Sequence, residues 1–285
     1  MTDPKITILV RRGLEGAERI AAMELVELCN RHEGLDLPAM LDAEGATQLL
    51  CTAGDELAGI ATLQDGSDGV ETLAVVRPAR RRQGIGRALL DAARAQCRAR
   101  GHDALLLVCE TASASGRGFV AALGAAPRHS EHRMELDPAA VDRSRPRPRG
   151  YQLRAAGPAD QELLEMLQAE SFGDTPDEAR QYIAAGLADP TRQYFVGEAD
   201  SVPIGMLRLG RYQDVADITA FGVLPGMRGR GYGRAMLLDA ADTLLDERWE
   251  RILIEVFTDN DRALGLYESC GFRVTSTYMF FTLAT

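Results

Sequence analysis

Two stretches in the second half of the chain carry apolar residues at helical spacing. They are 158–172 (PADQELLEMLQAESF) and 175–189 (TPDEARQYIAAGLAD), the latter with Pro176 where a first helical turn tolerates it. Shorter runs rich in β-branched and aromatic residues read as strands: 151–156, 193–199, 203–212, 217–224, 251–257 and 273–283. A tight turn at 200–202 joins the second strand to the third, so these pair antiparallel. A long helical run, 234–246, lies between the strand at 217–224 and that at 251–257, which predicts a parallel crossover. A short helix at 261–271 ends in Gly271. The pattern predicts an α/β fold, a mixed sheet with helices on both faces.

The pattern occurs twice. Residues 227–236 read MRGRGYGRAM and residues 79–89 read ARRRQGIGRAL. Pro78, Arg81, Gly84, Gly86 and Gly124 each recur 147 positions later, as Pro225, Arg228, Gly231, Gly233 and Gly271. A register held from a strand, through a loop, to the end of the next helix marks a tandem repeat. Residues 139–150 alternate Arg and Pro, which suits neither helix nor central strand and predicts a stiff, solvated linker. The expected domains are therefore 1–138 and 151–285.

Composition narrows the class. The net charge of −10 argues against non-specific nucleic-acid binding, and residues 151–285 hold −9 of it. That excess is either a solubilising surface or a field that draws in a cationic substrate. No run is long and apolar enough for a membrane span, and the first residues do not read as a secretory leader. Five cysteines without a CxxC fit unpaired thiols in a reducing cytoplasm. His129 and His132 are the only close histidine pair and lack further ligands, so no metal site is expected.

A strand that feeds a glycine loop opening a helix is an anion site, because free amides and the helix dipole face outward there. The third glycine of a dinucleotide fingerprint is missing from both copies, and so is the GK[ST] of a triphosphate loop. What both copies do carry is Arg-x-x-Gly-x-Gly after a strand ending near Pro, VLPGMRGRGYGRAM and VVRPARRRQGIGRAL. With LYESCGF downstream, this resembles the acetyl-coenzyme A loop of the GNAT family of N-acetyltransferases, over nearly the whole chain as two copies.

The resemblance implies two GNAT domains and acetyl-coenzyme A as cofactor, with a small-molecule amine as acceptor. Amides of Arg228, Gly229, Arg230, Gly231, Tyr232 and Gly233 are expected to hold the pyrophosphate, and Phe221 and Val223 to pair with the pantetheine arm. In the first copy the coenzyme-binding counterparts are Val76, Arg81, Arg82, Gly84, Ile85 and Gly86. Tyr267, in Tyr-x-x-x-Gly-Phe, matches the family's acid for the departing thiolate; its alternative is packing. The Val223 amide is the implied oxyanion donor. Asp217 stands eight residues before Pro225, where many members carry a base, and Glu255 is the reserve. Asn260 is either a pantetheine contact or a helix cap. Glu170, Asp174 and Asp177 lie where the family binds its acceptor, or are helix-start acids.

The 147-residue offset carries Tyr267 to Val120, Asp217 to Val70 and Asn260 to Ser113. The first copy is therefore expected to be non-catalytic. Glu71 lies one position from the expected base, on the opposite face of a regular strand, and counts only if a bulge intervenes. The competing reading is a coenzyme-binding scaffold without turnover. A monomer is expected, with a dimer as the alternative.

Overall fold

A computed structural model describes residues 6–37, 45–66, 69–212 and 214–285. Two compact units result, and they do not follow chain order. One comprises residues 1–131 and 276–285, the other 132–275. The repeat therefore marks the sequence, whereas packing exchanges the last strands. The carboxy-terminal strand supplies Tyr278, Phe280 and Leu283 to the first unit's cores. Met134 and Leu136, from the strand that ends the first repeat, are buried in the second unit's core.

The first unit runs β1 (Ile6–Arg12), α1 (Gly16–Glu33), β2 (Thr47–Ala53), β3 (Glu56–Gly66), β4 (Gly69–Val76), α2 (Ile85–Ala99), β5 (Ala104–Glu110), α3 (Ala114–Leu123) and the start of β6 (Ala126–Leu136). Leu89, Ala93 and Cys97, spaced along α2, are fully buried against the sheet. Strands β4 and β5 pair in parallel only from Val70 to Thr72 and then part.

The second unit runs β7 (Tyr151–Ala155), α4 (Gln161–Phe172), α5 (Pro176–Ala188), β8 (Arg192–Ala199), β9 (Val202–Tyr212), β10 (Val215–Val223), α6 (Tyr232–Asp246), β11 (Arg251–Phe257), α7 (Asp261–Glu268) and the start of β12 (Phe272–Ala284). Its strand order is β6-β11-β10-β9-β8-β7; β7 to β10 pair antiparallel in turn, and β10 pairs with β11 in parallel. A Thr175–Glu178 capping box starts α5, satisfying two amides at the helix end. Side chains of α6 from Ala235 to Leu244 pack on one face of the sheet; Leu164, Leu167 and Ile183 of α4 and α5 pack on the other.

One irregularity separates the two copies. The β9–β10 register shifts between Thr219 and Gly222, with Ala220 at φ +47°. One extra residue in β10 is a β-bulge. The β3–β4 ladder runs unbroken from Gly59↔Val76 to Gly66↔Gly69. Counting back from Val223 opposite Gly205 and from Val76 opposite Gly59, Asp217 lies opposite Gly210 and Glu71 opposite Gln64. Both acids are thus five partner positions from their glycine. The spatial counterpart of Asp217 is Glu71; Val70, chosen by sequence offset, is buried in the core on the α2 face. The bulge absorbs the difference.

The Arg/Pro segment from 141 to 150 forms no helix or strand and is largely exposed, yet it is pinned at two points. It lies along α6, where Arg143 pairs with Asp242 and Asp246, and Arg147 with Asp239 and Asp242, at 2.7–3.1 Å.

Candidate active site

Strands β10 and β11 pair only from Val215 to Ile218 and then diverge, opening a cleft towards the glycine loop. The Leu224 amide donates to Ile204 O on β9, so by strand alternation the amides of Val223 and Phe221 face the cleft. Gly231 has φ +86° as the N-cap of α6, a left-handed conformation that glycine adopts without strain. A Cβ on Gly233 would lie 3.4 Å from Leu266 and 3.5 Å from Val223, so its hydrogen lets α6 approach both β10 and α7. Tyr232 opens α6 with its ring 6.4 Å from Tyr151, and Arg230 is exposed. This donor set fits a diphosphate: consecutive helix-start amides, a glycine-rich loop and no acidic side chain from 225 to 236.

Arg228 is differently placed. Its Nε donates to Val223 O (2.8 Å) and its Nη2 to Ser171 O (2.9 Å), tying the loop to β10 and the end of α4. Arg81 makes the same turn in the first unit, donating to Val76 O at 3.1 Å and pairing with Glu33. Glu33 also accepts from Ser113 and Ser115. Ile85 is a buried core residue, Gly84 caps α2, and Arg82 stands at φ +64°. A Cβ on Gly86 would meet Phe119 at 3.3 Å, as Gly233 meets Leu266.

Tyr267 projects from α7 beside the cleft. Its ring lies 6.0 Å from Phe221 and 6.4 Å from Phe272, and burial pushes its phenol up to about 12. It therefore stays protonated at neutral pH, as a proton donor must. Asp217 is on the opposite face of β10. Its Oδ1 is sealed from solvent and has no hydrogen-bond partner. Desolvation raises its carboxyl above the ordinary range, against the attraction of Arg208 and Arg192. The two proton-transfer candidates thus approach the diverging strands from opposite faces of one sheet.

Glu255 is half-exposed and paired with Arg133 at 3.0 Å. Asn260 caps α7, accepting from Ala263 N at 3.1 Å. In the acidic segment, Asp174 accepts from Gln168 (2.9 Å), Asp177 pairs with Arg180 (2.7 Å), and Glu170 is exposed.

Sequence reading missed Arg208. Only 7% exposed, it donates to Thr219 Oγ1 at 3.0 Å and Tyr194 OH at 3.2 Å. Its guanidinium stands 5.0 Å from the Tyr182 ring centre and 5.6 Å from that of Tyr194. The available signal was a lone arginine inside the apolar run IGMLRLG.

A bulged strand that parts from its parallel neighbour beside a glycine-capped helix makes a cleft that ends in an anion site, and the comparisons identify the class of enzyme as an acyltransferase. The chain belongs to the acetyltransferase (GNAT) family, whose model matches residues 17–143 and 161–272. It is an acyltransferase that uses acetyl-coenzyme A. Its relatives include the mycothiol acetyltransferase of Thermomonospora curvata, 30% identical over 91% of this chain and 92% of that protein. That of Clavibacter sepedonicus is 29% identical over 93% and 88%. Among solved structures, a GCN5-related N-acetyltransferase from Sphaerobacter thermophilus superposes with TM-score 0.79 at 18% identity, covering 97% of this chain and 95% of that one. A tandem GNAT protein from the clavulanic acid biosynthesis pathway gives 0.74 at 18% identity, over 98% of each chain. These two establish the tandem fold.

Proposed function

We propose that the second unit acetylates a primary amine of a small molecule by direct attack. The relatives' name points to a mycothiol-type acceptor, a cysteinyl amine. The observation that carries this reading is a buried Tyr267 and a desolvated Asp217, one of whose carboxylate oxygens lacks a hydrogen-bond partner, beside the point where β10 and β11 part. Asp217 takes a proton from the acceptor ammonium through a bridging water. The freed amine nitrogen bonds the acetyl carbonyl carbon, and the Val223 amide donates to the oxyanion. As the C–S bond breaks, Tyr267 gives its proton to the departing sulfur, and the acylated nitrogen sheds its second proton, which restores the phenol. Glu255, held by Arg133, is the weaker base. Glu170, Asp174 and Asp177 serve better as helix-flanking acids than as an acceptor clamp, since two of the three are engaged. The first unit keeps an acid, Glu71, at the base position but has Val120 in place of the tyrosine, which supports a non-catalytic role.

The test is consumption of acetyl-coenzyme A, followed by loss of thioester absorbance, over a panel of amines that includes cysteinyl amines, whose own thiols exclude a thiol-release readout. The protein's five cysteines are all buried and burial raises every thiol, so they do not compete as acetyl acceptors. Tyr267→Phe should lower kcat tenfold or more, about 1.4 kcal/mol of barrier. Unchanged turnover in that variant would remove Tyr267 from the reaction.

A further inference from the structure

The Arg/Pro segment does more than join two repeats. A pocket of about 290 Å³ lies where it crosses the start of α6, with Arg145, Arg147 and Pro148 on one wall and Arg230, Gly231 and Arg234 on the other. No carboxylate lines it. Arg147 is neutralised by Asp239 and Asp242 and acts as a tether. Arg234 reaches only the hydroxyl of Ser269. No carboxylate stands within ion-pair distance of Arg145 or Arg230 among the described residues. Pro148 packs close to Gly231: a Cβ there would sit 3.7 Å from its Cγ. In a chain of net charge −10, three arginines without carboxylate partners converge on one concavity.

We infer that Arg145, carried by the segment between the repeats, together with Arg230 and Arg234, binds the 3′-phosphate of coenzyme A. The inference rests on the reading that the second unit binds acetyl-coenzyme A at its glycine loop. Helix-start amides from 229 to 233 suit the diphosphate, whose charge is spread over two groups. A terminal phosphomonoester carries nearly two charges at one end and is best met by guanidinium forks. None of the cleft residues Phe221, Val223, Asn260 or Tyr267 lines this pocket, so it serves the end of the coenzyme remote from the thioester. The segment is thereby a selectivity element for the phosphorylated coenzyme.

The experiment is calorimetric titration of the full chain with coenzyme A and with 3′-dephospho-coenzyme A, for wild type, Arg145→Ala and the control Arg149→Ala. The same segment carries Arg149 outside the pocket. Any isotherm from the first unit is common to all variants and cancels in the comparison. Wild type should prefer coenzyme A. Arg145→Ala should weaken coenzyme A roughly tenfold or more, leave the dephospho form unchanged, and raise KM for acetyl-coenzyme A at constant kcat. Arg149→Ala should match wild type. Equal affinities in wild type, or an equal loss for both ligands in Arg145→Ala, would overturn the assignment while leaving the coenzyme site standing. Wild type that binds neither ligand would overturn both.

Discussion

Ala220 offers a test in which the sign of an effect, more than its size, decides. In a regular strand, replacing alanine by glycine costs about 0.5–1 kcal/mol of chain entropy. Ala220 is in the left-handed region at φ +47°. An L-residue pays about 1–2 kcal/mol there, and glycine does not. The difference leaves about 0.5–1 kcal/mol in favour of Ala220→Gly. Ala220→Val should go the other way by about 2 kcal/mol or more, since a branched Cβ is least tolerated at positive φ. Urea unfolding reads both through the midpoint at constant slope. The valine variant also favours a straightened β10. Losing the bulge moves Asp217 to the other face and should cut kcat by tenfold or more. A lower midpoint for Ala220→Gly, or a valine variant of wild-type stability and activity, would refute the bulge.

The remaining expectations concern charge and core. A desolvated Asp217 has a folded pKa above its unfolded one, so its contribution to stability is fully present below the unfolded value and is lost as pH rises through the folded value. Asp217→Asn should therefore gain on wild type in urea midpoint as pH climbs through that window, while losing turnover; parallel pH profiles of stability would count against a desolvated carboxyl. Wild-type kcat/KM should rise with pH through the same raised pKa as the carboxylate forms. Met134→Ala should cost about 2–5 kcal/mol, because Met134 is fully buried in the second unit's core. Residues 151–285 expressed alone lack that side chain and Leu136, and should be insoluble; a soluble, cooperatively folding fragment would contradict the strand exchange.

Much of the fold was legible because its signals are local. Gly231 and Gly233 stand where a capped helix must approach a strand, and the 147-residue offset fixes the equivalence of Asn260 with Ser113, which both cap helices. The bulge left no trace, since Ala220 is not a residue that advertises positive φ. Sequence offset therefore assigned Val70 to Asp217, and only register revealed Glu71. Arg228 was read for its amide, as one of the pyrophosphate donors, whereas its side chain has a structural task that the sequence did not announce, donating to the carbonyls of Val223 and Ser171. The exchange of β6 and β12 was invisible for another reason: each strand's alternation states which face is buried, not which repeat supplies the core.

That exchange bears on inheritance. A gene duplication normally leaves the spare copy free to decay or be deleted. Here the second unit is built in part from residues 132–150, and the first unit from residues 276–285. Cutting the gene between its repeats severs both products. A first copy that contributes nothing to turnover would still be retained, because its reading frame encodes part of its neighbour's interior.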